Sequence, residues 1–180
     1  SRGCGKGCRF CPVAHMPMEH ISPDVIVADL ETNVAAGVRT VVSGSEDILR
    51  YGSSDGRVNF ERLRSLLERM RGVKGLSFMQ IDHANVSSVV QLDEHELTEV
   101  RRLLTWEANP GHLWLNLGVE SANGHLVRRN GPGKIAPFSA DDWEEMVLAA
   151  GERLVRCGFF PMFSIILGLP GETPDDVART

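Results

Sequence analysis

A short apolar strand followed at once by polar residues lies past the middle of the chain, in the run Leu113-Trp114-Leu115-Asn116-Leu117-Gly118-Val119-Glu120-Ser121. The stretch from Leu113 to Val119 predicts the strand. Glu120 and Ser121 stand where that strand ends. A carboxylate there would be left at a buried strand end unless it binds something, so Glu120 is a candidate binding residue.

Helices and strands alternate on both sides of this strand. The sequence predicts further strands over Thr40–Val42, Gly75–Ile81 and Phe159–Leu167. Helical spacing and cap residues predict the helices between them. These begin at Ser22-Pro23-Asp24 (ending at Gly37), near Asn59 (ending at Gly72), at an Asp93–Glu96 capping box, around Leu126–Arg129, at Ser139 as N-cap (ending at Gly158), and at Thr173-Pro174.

Strands separated by helices of this length predict an α/β fold in which right-handed crossovers make the strands parallel. Such strands are buried on both faces, in a doubly wound sheet or in a barrel. In both architectures the ligand binds at the carboxyl ends of the strands. Those ends carry Glu46, Asp82-His83, Glu120-Ser121 and Gly168-Leu169-Pro170-Gly171-Glu172.

Composition limits the classes of function. The chain has 180 residues, enough for one domain, and its net charge of −5 indicates no overall attraction to nucleic acid or to a membrane surface. The longest apolar run, Phe159–Leu169, is interrupted by Pro161 and Gly168 and is too short to span a bilayer. A start at Ser1 without Met, and an end just after the Thr173-Pro174 helix start, predict a piece of a longer chain.

Three of the four cysteines lie in the first eleven positions, in Cys4-Gly5-Lys6-Gly7-Cys8-Arg9-Phe10-Cys11, which we call the cysteine loop. Thiolates spaced CxxxCxxC on an irregular loop can converge on one soft metal centre. This pattern is typical of metal ligation in a reducing compartment, so we expect a cytoplasmic protein. Gly3, Gly5 and Gly7 would let the backbone wrap at positive φ. The fourth cysteine, Cys157, is expected to be a small buried side chain.

Three thiolates for the four irons of a [4Fe–4S] cluster leave one iron open to a small chelating ligand. The amino and carboxylate groups of S-adenosylmethionine (SAM) suit that position. Arg2, Lys6 and Arg9 could offset the charge of a cluster or face solvent. The alternative is a zinc ion held by the cysteines with His15 or His20 as fourth ligand.

At these residues the sequence resembles the radical SAM superfamily, and the resemblance covers essentially the whole chain. Cys4, Cys8 and Cys11, with Phe10 before the last cysteine, match the cluster loop of that family. Gly44-Ser45-Glu46 matches its Gly-Gly-Glu motif, with serine for the second glycine. The resemblance implies a partial (β/α)6 barrel, truncated at both ends, over residues 1–180.

The resemblance also implies where SAM would bind. Phe10 would lie near the adenine, and Ile166 and Leu169 would back it. Gly44, Ser45 and Glu46 would position the methionine amino group. Glu120 and Ser121 would contact the ribose. Arg128 or Arg129 could pair with the SAM carboxylate, with an exposed helix as the plain alternative.

The activity implied is reductive cleavage of SAM to a 5′-deoxyadenosyl radical, which abstracts hydrogen from a substrate that the sequence does not identify. An electron donor such as flavodoxin or ferredoxin would be the partner. Arg50-Tyr51-Gly52-Ser53 and Asn85-Val86-Ser87-Ser88-Val89 resemble the branch often fused to a cobalamin-binding domain, so a cobalamin-dependent methyltransferase is an alternative. A non-catalytic iron–sulfur or zinc module is an alternative of another class.

Four residues are candidates for the substrate side. Asp82 and His83 follow a predicted strand and could meet substrate or transfer a proton, or be structural. Arg50 and Tyr51 could line the same side or pack in a loop. Separately, Gly131-Pro132-Gly133-Lys134 has the composition of a phosphate-binding turn.

Overall fold

The computed structural model describes residues 1–107 and 113–180 and has alternating helices and strands. The helices are α1 (Pro23–Ala35), α2 (Phe60–Arg71), α3 (Val86–Val89), α4 (Glu94–Leu104), α5 (Gly124–Asn130), α6 (Trp143–Arg156) and α7 (Pro174–Arg179). The strands are β1 (Thr40–Ser43), β2 (Phe78–Ile81), β3 (His83–Ala84), β4 (Trp114–Glu120) and β5 (Phe160–Ile165). A 3-10 turn, Ile48–Arg50, follows β1. No helix in the described ranges is long and apolar enough to cross a membrane.

All the strand pairs are parallel, which confirms the predicted α/β class. β1 pairs with β2, and a second sheet has the order β3-β4-β5. The described strands therefore form two short sheets that follow the course of a partial barrel and do not close. The core lies between the sheets and helices α2, α4 and α6, and Trp143 and Leu63 are fully buried in it.

Cap chemistry explains most helix starts. Ser22, Asn59 and Thr173 each accept a backbone hydrogen bond at the start of a helix, and the Asp93–Glu96 capping box is present. The prediction for Ser139 is wrong. Its hydroxyl accepts from the N–H of Asp141, two residues on, so the chain makes a local turn and α6 begins only at Trp143.

The strand β5 departs from the expectation of burial on both faces. Phe160, Phe163 and Ile165 are exposed, because β5 is at one end of its sheet and pairs only with β4 among the described residues. The predicted strand over Gly75–Ile81 is also shorter, since β2 begins at Phe78. The chain then changes partner at Asp82, after which β3 pairs with β4.

Candidate active site

The cysteine loop folds back on the residues that follow it. The backbone N–H groups of Cys4 and Gly5 both donate to Met16 O, at 3.1 and 2.9 Å, and Gly7 N–H donates to Ala14 O at 2.9 Å. Gly3, Gly5 and Gly7 all have positive φ, as predicted. At Gly3 a β-carbon would lie 2.3 Å from Pro17 O, so the tight reversal requires glycine.

All three cysteines of the loop line one cavity of about 220 Å³ at the carboxyl ends of the strands. The loop after β1 and residues of β3 and β4 complete its wall. The structure thus brings together Glu46, His83 and Glu120 of the predicted polar strand ends, whereas Gly168–Glu172 are not among the lining residues. Besides the cysteines, the polar and aromatic side chains on this wall are Lys6, Phe10, Glu46, Asp47, His83, Asn85, Glu120, Lys134 and Ser164. We call this space the cysteine cavity.

The donor set fits an iron–sulfur cluster. Thiolates are the ligands that such clusters take, and here three of them line one cavity that is enclosed by glycine-rich backbone. Burial raises the pKa of the Cys4 and Cys8 thiols above that of a free cysteine. Within residues 1–107 and 113–180, no three His, Cys, Asp or Glu side chains are already gathered at ion-binding distance.

The zinc hypothesis with His20 receives no support from this geometry. His20 Nε2 donates to Ser53 O at 2.9 Å and Nδ1 accepts from Gly52 N–H at 3.4 Å. The ring also packs edge-on against Tyr51. Both ring nitrogens are therefore used in holding a loop. His15, the other proposed ligand, is exposed.

Glu120 lies in the wall of the cavity, as its position after a buried strand suggested. It has φ of +65°, and the pairing of β4 with β5 shifts register between Gly118 and Glu120. Its Oε1 is 2.7 Å from Lys134 Nζ, and both side chains are about nine-tenths buried. The Gly131–Lys134 stretch is therefore a turn whose lysine is paired with a carboxylate, and the phosphate-binding reading of that turn has no support.

Two further charged residues of the cavity wall are buried: Asp47, which the sequence pattern did not indicate, and Lys6 of the cysteine loop, which was expected to offset cluster charge or to face solvent. Asp47 is 1% exposed; its Oδ2 accepts from the Ser88 hydroxyl at 2.6 Å, while Oδ1 has no partner within the described part of the chain. Burial raises the pKa of Asp47. Lys6 donates to the Ser87 hydroxyl at 3.3 Å, and burial lowers its pKa to about 8. In the sequence, the adjacent polar residues Ser87 and Ser88 at a helix start are the one feature that could have indicated buried partners for Lys6 and Asp47.

Glu46, which precedes Asp47 in the sequence, also lines the cysteine cavity. Gly44 and Ser45 line a second cavity instead, and the Ser45 hydroxyl is 3.1 Å from that of Ser1. The structure thus turns the last residue of the Gly44-Ser45-Glu46 motif toward the cysteines and the first two away from them.

Asp82 and His83 form a connected pair at the point where the sheets separate. Asp82 Oδ1 accepts from Asn116 Nδ2 at 2.9 Å, and Oδ2 lies 3.0 Å from His83 Nδ1. His83 is half exposed and lines the cysteine cavity. Its ring is thereby oriented by a carboxylate, which suits a group that binds or transfers a proton.

Arg50, Tyr51 and Ser121 are not among the residues that line the cysteine cavity. Arg50 donates from Nη1 to Cys4 O at 3.2 Å, and the Tyr51 hydroxyl donates to Ile21 O at 2.8 Å, so Arg50 supports the cysteine loop while Tyr51 packs in a neighbouring loop. The Ser121 hydroxyl is 3.1 Å from that of Thr180.

The remaining candidates lie on α5, after β5 and at the end of α6. Arg128 and Arg129 are exposed on α5, and Arg129 lies against Gly171. Ile166 N–H donates to Glu120 O at 2.9 Å, and Leu169 is buried. Cys157 is buried, as predicted, with its thiol 3.5 Å from Glu94 O.

A family model described as "Radical SAM superfamily" matches residues 1–180. The chain therefore belongs to the radical SAM superfamily, and the resemblance read from its motifs is confirmed. It is an enzyme domain of that superfamily, whose cofactors are a [4Fe–4S] cluster and SAM.

Similar curated proteins are named as a methylthiotransferase and as a synthase of a methylthio-modified adenosine. The chain is 28% identical to the ribosomal protein uS12 methylthiotransferase RimO of Frankia casuarinae over 184 residues, covering 98% of this chain and 31% of the relative. It is 27% identical to the tRNA-2-methylthio-N(6)-dimethylallyladenosine synthase of Acidithiobacillus ferrooxidans over 183 residues, covering 99% of this chain and 37% of the relative. The chain spans about a third of the length of these relatives.

Proposed function

We propose that Cys4, Cys8 and Cys11 ligate the [4Fe–4S] cluster and that SAM binds beside it in the cysteine cavity. The observation that carries the assignment is that these three thiols line one cavity at the carboxyl ends of the strands. When bound, the cluster and SAM supply a 5′-deoxyadenosyl radical by one-electron cleavage of the sulfonium. An external one-electron donor of the flavodoxin or ferredoxin class provides the electron, and the reducing environment is the cytoplasm.

The chain's own residues bind and orient in this proposal. Glu46 faces the cysteine cavity and can accept a hydrogen bond from the SAM amino group. Glu120 is held rigidly by Lys134 and by its bulged strand, which suits an acceptor for ribose hydroxyls. Phe10 is exposed at the cavity and offers an aromatic edge to the adenine. Leu169, which is buried in the loop after β5, and Ile166 are proposed to back the adenine.

On the substrate side, His83 is the residue with the best support, because its ring lines the cavity and Asp82 holds it. It would position a substrate group or exchange a proton with it. Because Tyr51 donates its hydroxyl to Ile21 O, we assign it no substrate contact.

A second candidate reaction, transfer of a methylthio group to a macromolecule, is favoured by the names of the relatives, which match 98–99% of this chain. The cobalamin-dependent alternative stays a prediction that rests on the motifs at Arg50–Ser53 and Asn85–Val89. Mass spectrometry of RNA and ribosomal protein after incubation with the full-length enzyme separates the two. Gain of a methylthio group supports the first and gain of a methyl group the second.

The direct test is anaerobic reconstitution with iron and sulfide, followed by analysis of both elements and of 5′-deoxyadenosine after reduction with dithionite. Replacing Cys4, Cys8 or Cys11 with alanine should abolish bound cluster and SAM cleavage. Cys157→Ala is the matched control, because this buried thiol contacts α4 and should leave iron content unchanged. Unchanged iron and sulfide in the three loop variants would contradict the ligand assignment. A loaded cluster that neither responds to SAM nor cleaves it would indicate a non-catalytic module.

A further inference from the structure

The turn Asn130–Lys134, which follows α5, lies directly on the cysteine loop. Arg9 N–H donates to Asn130 O at 2.8 Å, and Gly133 N–H donates to Lys6 O at 2.9 Å. These two bonds flank Gly7, whose own N–H donates to Ala14 O, whereas the bonds to Met16 hold the beginning of the loop. The loop is therefore fixed by two separate segments of backbone.

The contact between this turn and the cysteine loop is too close for any side chain but hydrogen. A β-carbon at Gly131 would lie 2.8 Å from Cys8 Sγ. A β-carbon at Gly133 would lie 2.8 Å from Lys6 O and 3.0 Å from Lys6 Cα, and backbone atoms cannot move aside cheaply. The glycines thus set the distance between the turn and the thiol of Cys8.

Lys134 ends the turn and brings a buried charge to the same cavity as the three cysteines. It is 9% exposed, and its Nζ is 2.7 Å from Glu120 Oε1. Both side chains of this ion pair line the cavity with Cys8, and a β-carbon at Gly131 would meet both Cys8 Sγ, at 2.8 Å, and Lys134 Cβ, at 3.5 Å. The backbone turn that packs against Cys8 therefore also carries the cation.

A buried cation at this position bears on the redox step. Reduction adds one electron to a cluster that already carries the charge of three thiolates, and a fixed positive charge nearby stabilises the more negative state. The effect is larger at a buried site than at an exposed one, because water screens it less.

We propose that Lys134 is a positioning residue whose buried charge raises the reduction potential of the cluster, with the Asn130–Lys134 turn holding that charge at a constant distance from Cys8. This inference rests on the proposed ligand assignment. The step is a one-electron reduction by an external donor, dithionite in the experiment, and no bond forms or breaks.

The test is an anaerobic redox titration of the reconstituted full-length protein, followed by electron paramagnetic resonance of the reduced cluster. Lys134→Gln should lower the midpoint potential, so that at a fixed potential the ratio of reduced to oxidised cluster falls about tenfold, or about 59 mV for one electron. Glu120→Gln should raise the potential, because it removes the negative member of the pair. Lys134→Arg should restore a value close to wild type, and Lys74→Gln, at an exposed lysine, is the control.

Opposite signs for Lys134→Gln and Glu120→Gln separate an electrostatic role from a structural one, because both changes break the same ion pair. The double variant Lys134→Gln/Glu120→Gln carries no unpaired buried charge. If Lys134→Gln does not fold, the double variant replaces it, and its potential should lie below that of Glu120→Gln. If both variants shift the potential in the same direction, or if neither shifts it at full iron content, then the inference about Lys134 is wrong, while the proposed ligand assignment stands. A wild-type protein that binds no cluster would overturn the proposed function.

Discussion

Two sides of the site differ in how closely they are packed. On the first, which we call the packed wall, Gly131 and Gly133 press against the cysteine loop and leave no room for a β-carbon. On the second, the open wall, formed by the loops after β1 and β5, a β-carbon at Gly44 or Gly168 would meet no atom of the described residues within 4 Å. The backbone thus packs tightly against the thiols and leaves space at Gly44 and Gly168, neither of which lines the cysteine cavity itself.

The largest effect on stability is expected from filling the packed wall. Gly133→Ala forces a methyl group into Lys6 backbone and should destabilise the fold by about 2 kcal/mol. It should also reduce iron loading, since the cysteine loop must shift. Urea unfolding of the iron-free protein and iron analysis after reconstitution measure the two effects. Gly72→Ala, at a helix end with ordinary φ, is the control and should change stability little. If Gly133→Ala is as stable as Gly72→Ala, then the Lys6 backbone can move aside at little cost, which contradicts the tight packing of this wall.

A smaller, pH-dependent effect is expected at Asp47, the buried carboxyl beside the open wall. Burial raises its folded-state pKa above 3.8, so the folded chain binds this proton more tightly than the unfolded chain. The stability that this provides is complete below pH 3.8 and is lost as the pH rises through the folded pKa. Asp47→Asn should remove that loss, which urea unfolding across this pH window would detect.

The exposed Asp29→Asn is the control for Asp47→Asn. If both variants keep the pH dependence of the wild type, then the carboxyl of Asp47 is not desolvated in the way its burial implies.

Gly168→Ala tests backbone strain without a steric contact. Gly168 has φ of +84°, where a β-carbon costs about 1 kcal/mol, yet the space around it is open. The expected loss of stability is therefore about half that of Gly133→Ala. Gly168→Asn should recover part of it, because asparagine tolerates left-handed backbone better than alanine. Equal losses for alanine and asparagine would argue against strain as the cause.

The smallest effect on stability is expected at Gly44, where neither strain nor contact opposes a methyl group. Gly44→Ala should change the free energy of unfolding by less than about 0.5 kcal/mol. Because Gly44 lies two residues before Glu46, which is proposed to bind the SAM amino group, weaker SAM binding at unchanged stability would sharpen the contrast between the walls. Equilibrium binding of SAM to the reconstituted protein gives the measurement. A clear loss of stability in Gly44→Ala would contradict the open space around Gly44.

Local sequence signals predicted the helices and strands well, because caps and apolar spacing act over a few residues. The prediction that Ser139 is an N-cap was wrong, since a serine hydroxyl can accept from a backbone N–H two residues on as readily as it caps a helix. The change of partner at Asp82 depends on which strands meet, which no local pattern records.

In the site, the cysteine loop, Glu120 and His83 could be found from spacing and from strand ends. The ion pair between Glu120 and Lys134 could not, because it joins a strand end to a turn beyond the next helix. Of the adjacent acids Glu46 and Asp47, both line the cavity, but burial of the second depends on the turn into Ile48–Arg50 and on Ser88.

The partner change at Asp82 also shapes how the sheets come apart. Beside the break, Gln80 reaches across with its side-chain amide to Trp114 O at 2.5 Å, whereas past it Asn116 N–H donates to Asp82 O at 2.9 Å and the backbone ladder resumes. In this seam, the line along which the β2–β3 segment faces β4, the strands are joined by a side chain at the amino end and by backbone hydrogen bonds at the carboxyl end. The end of this seam that β3 pairs is also the end where His83 and Ala84 line the cysteine cavity, so backbone hydrogen bonds join the strands where the site lies.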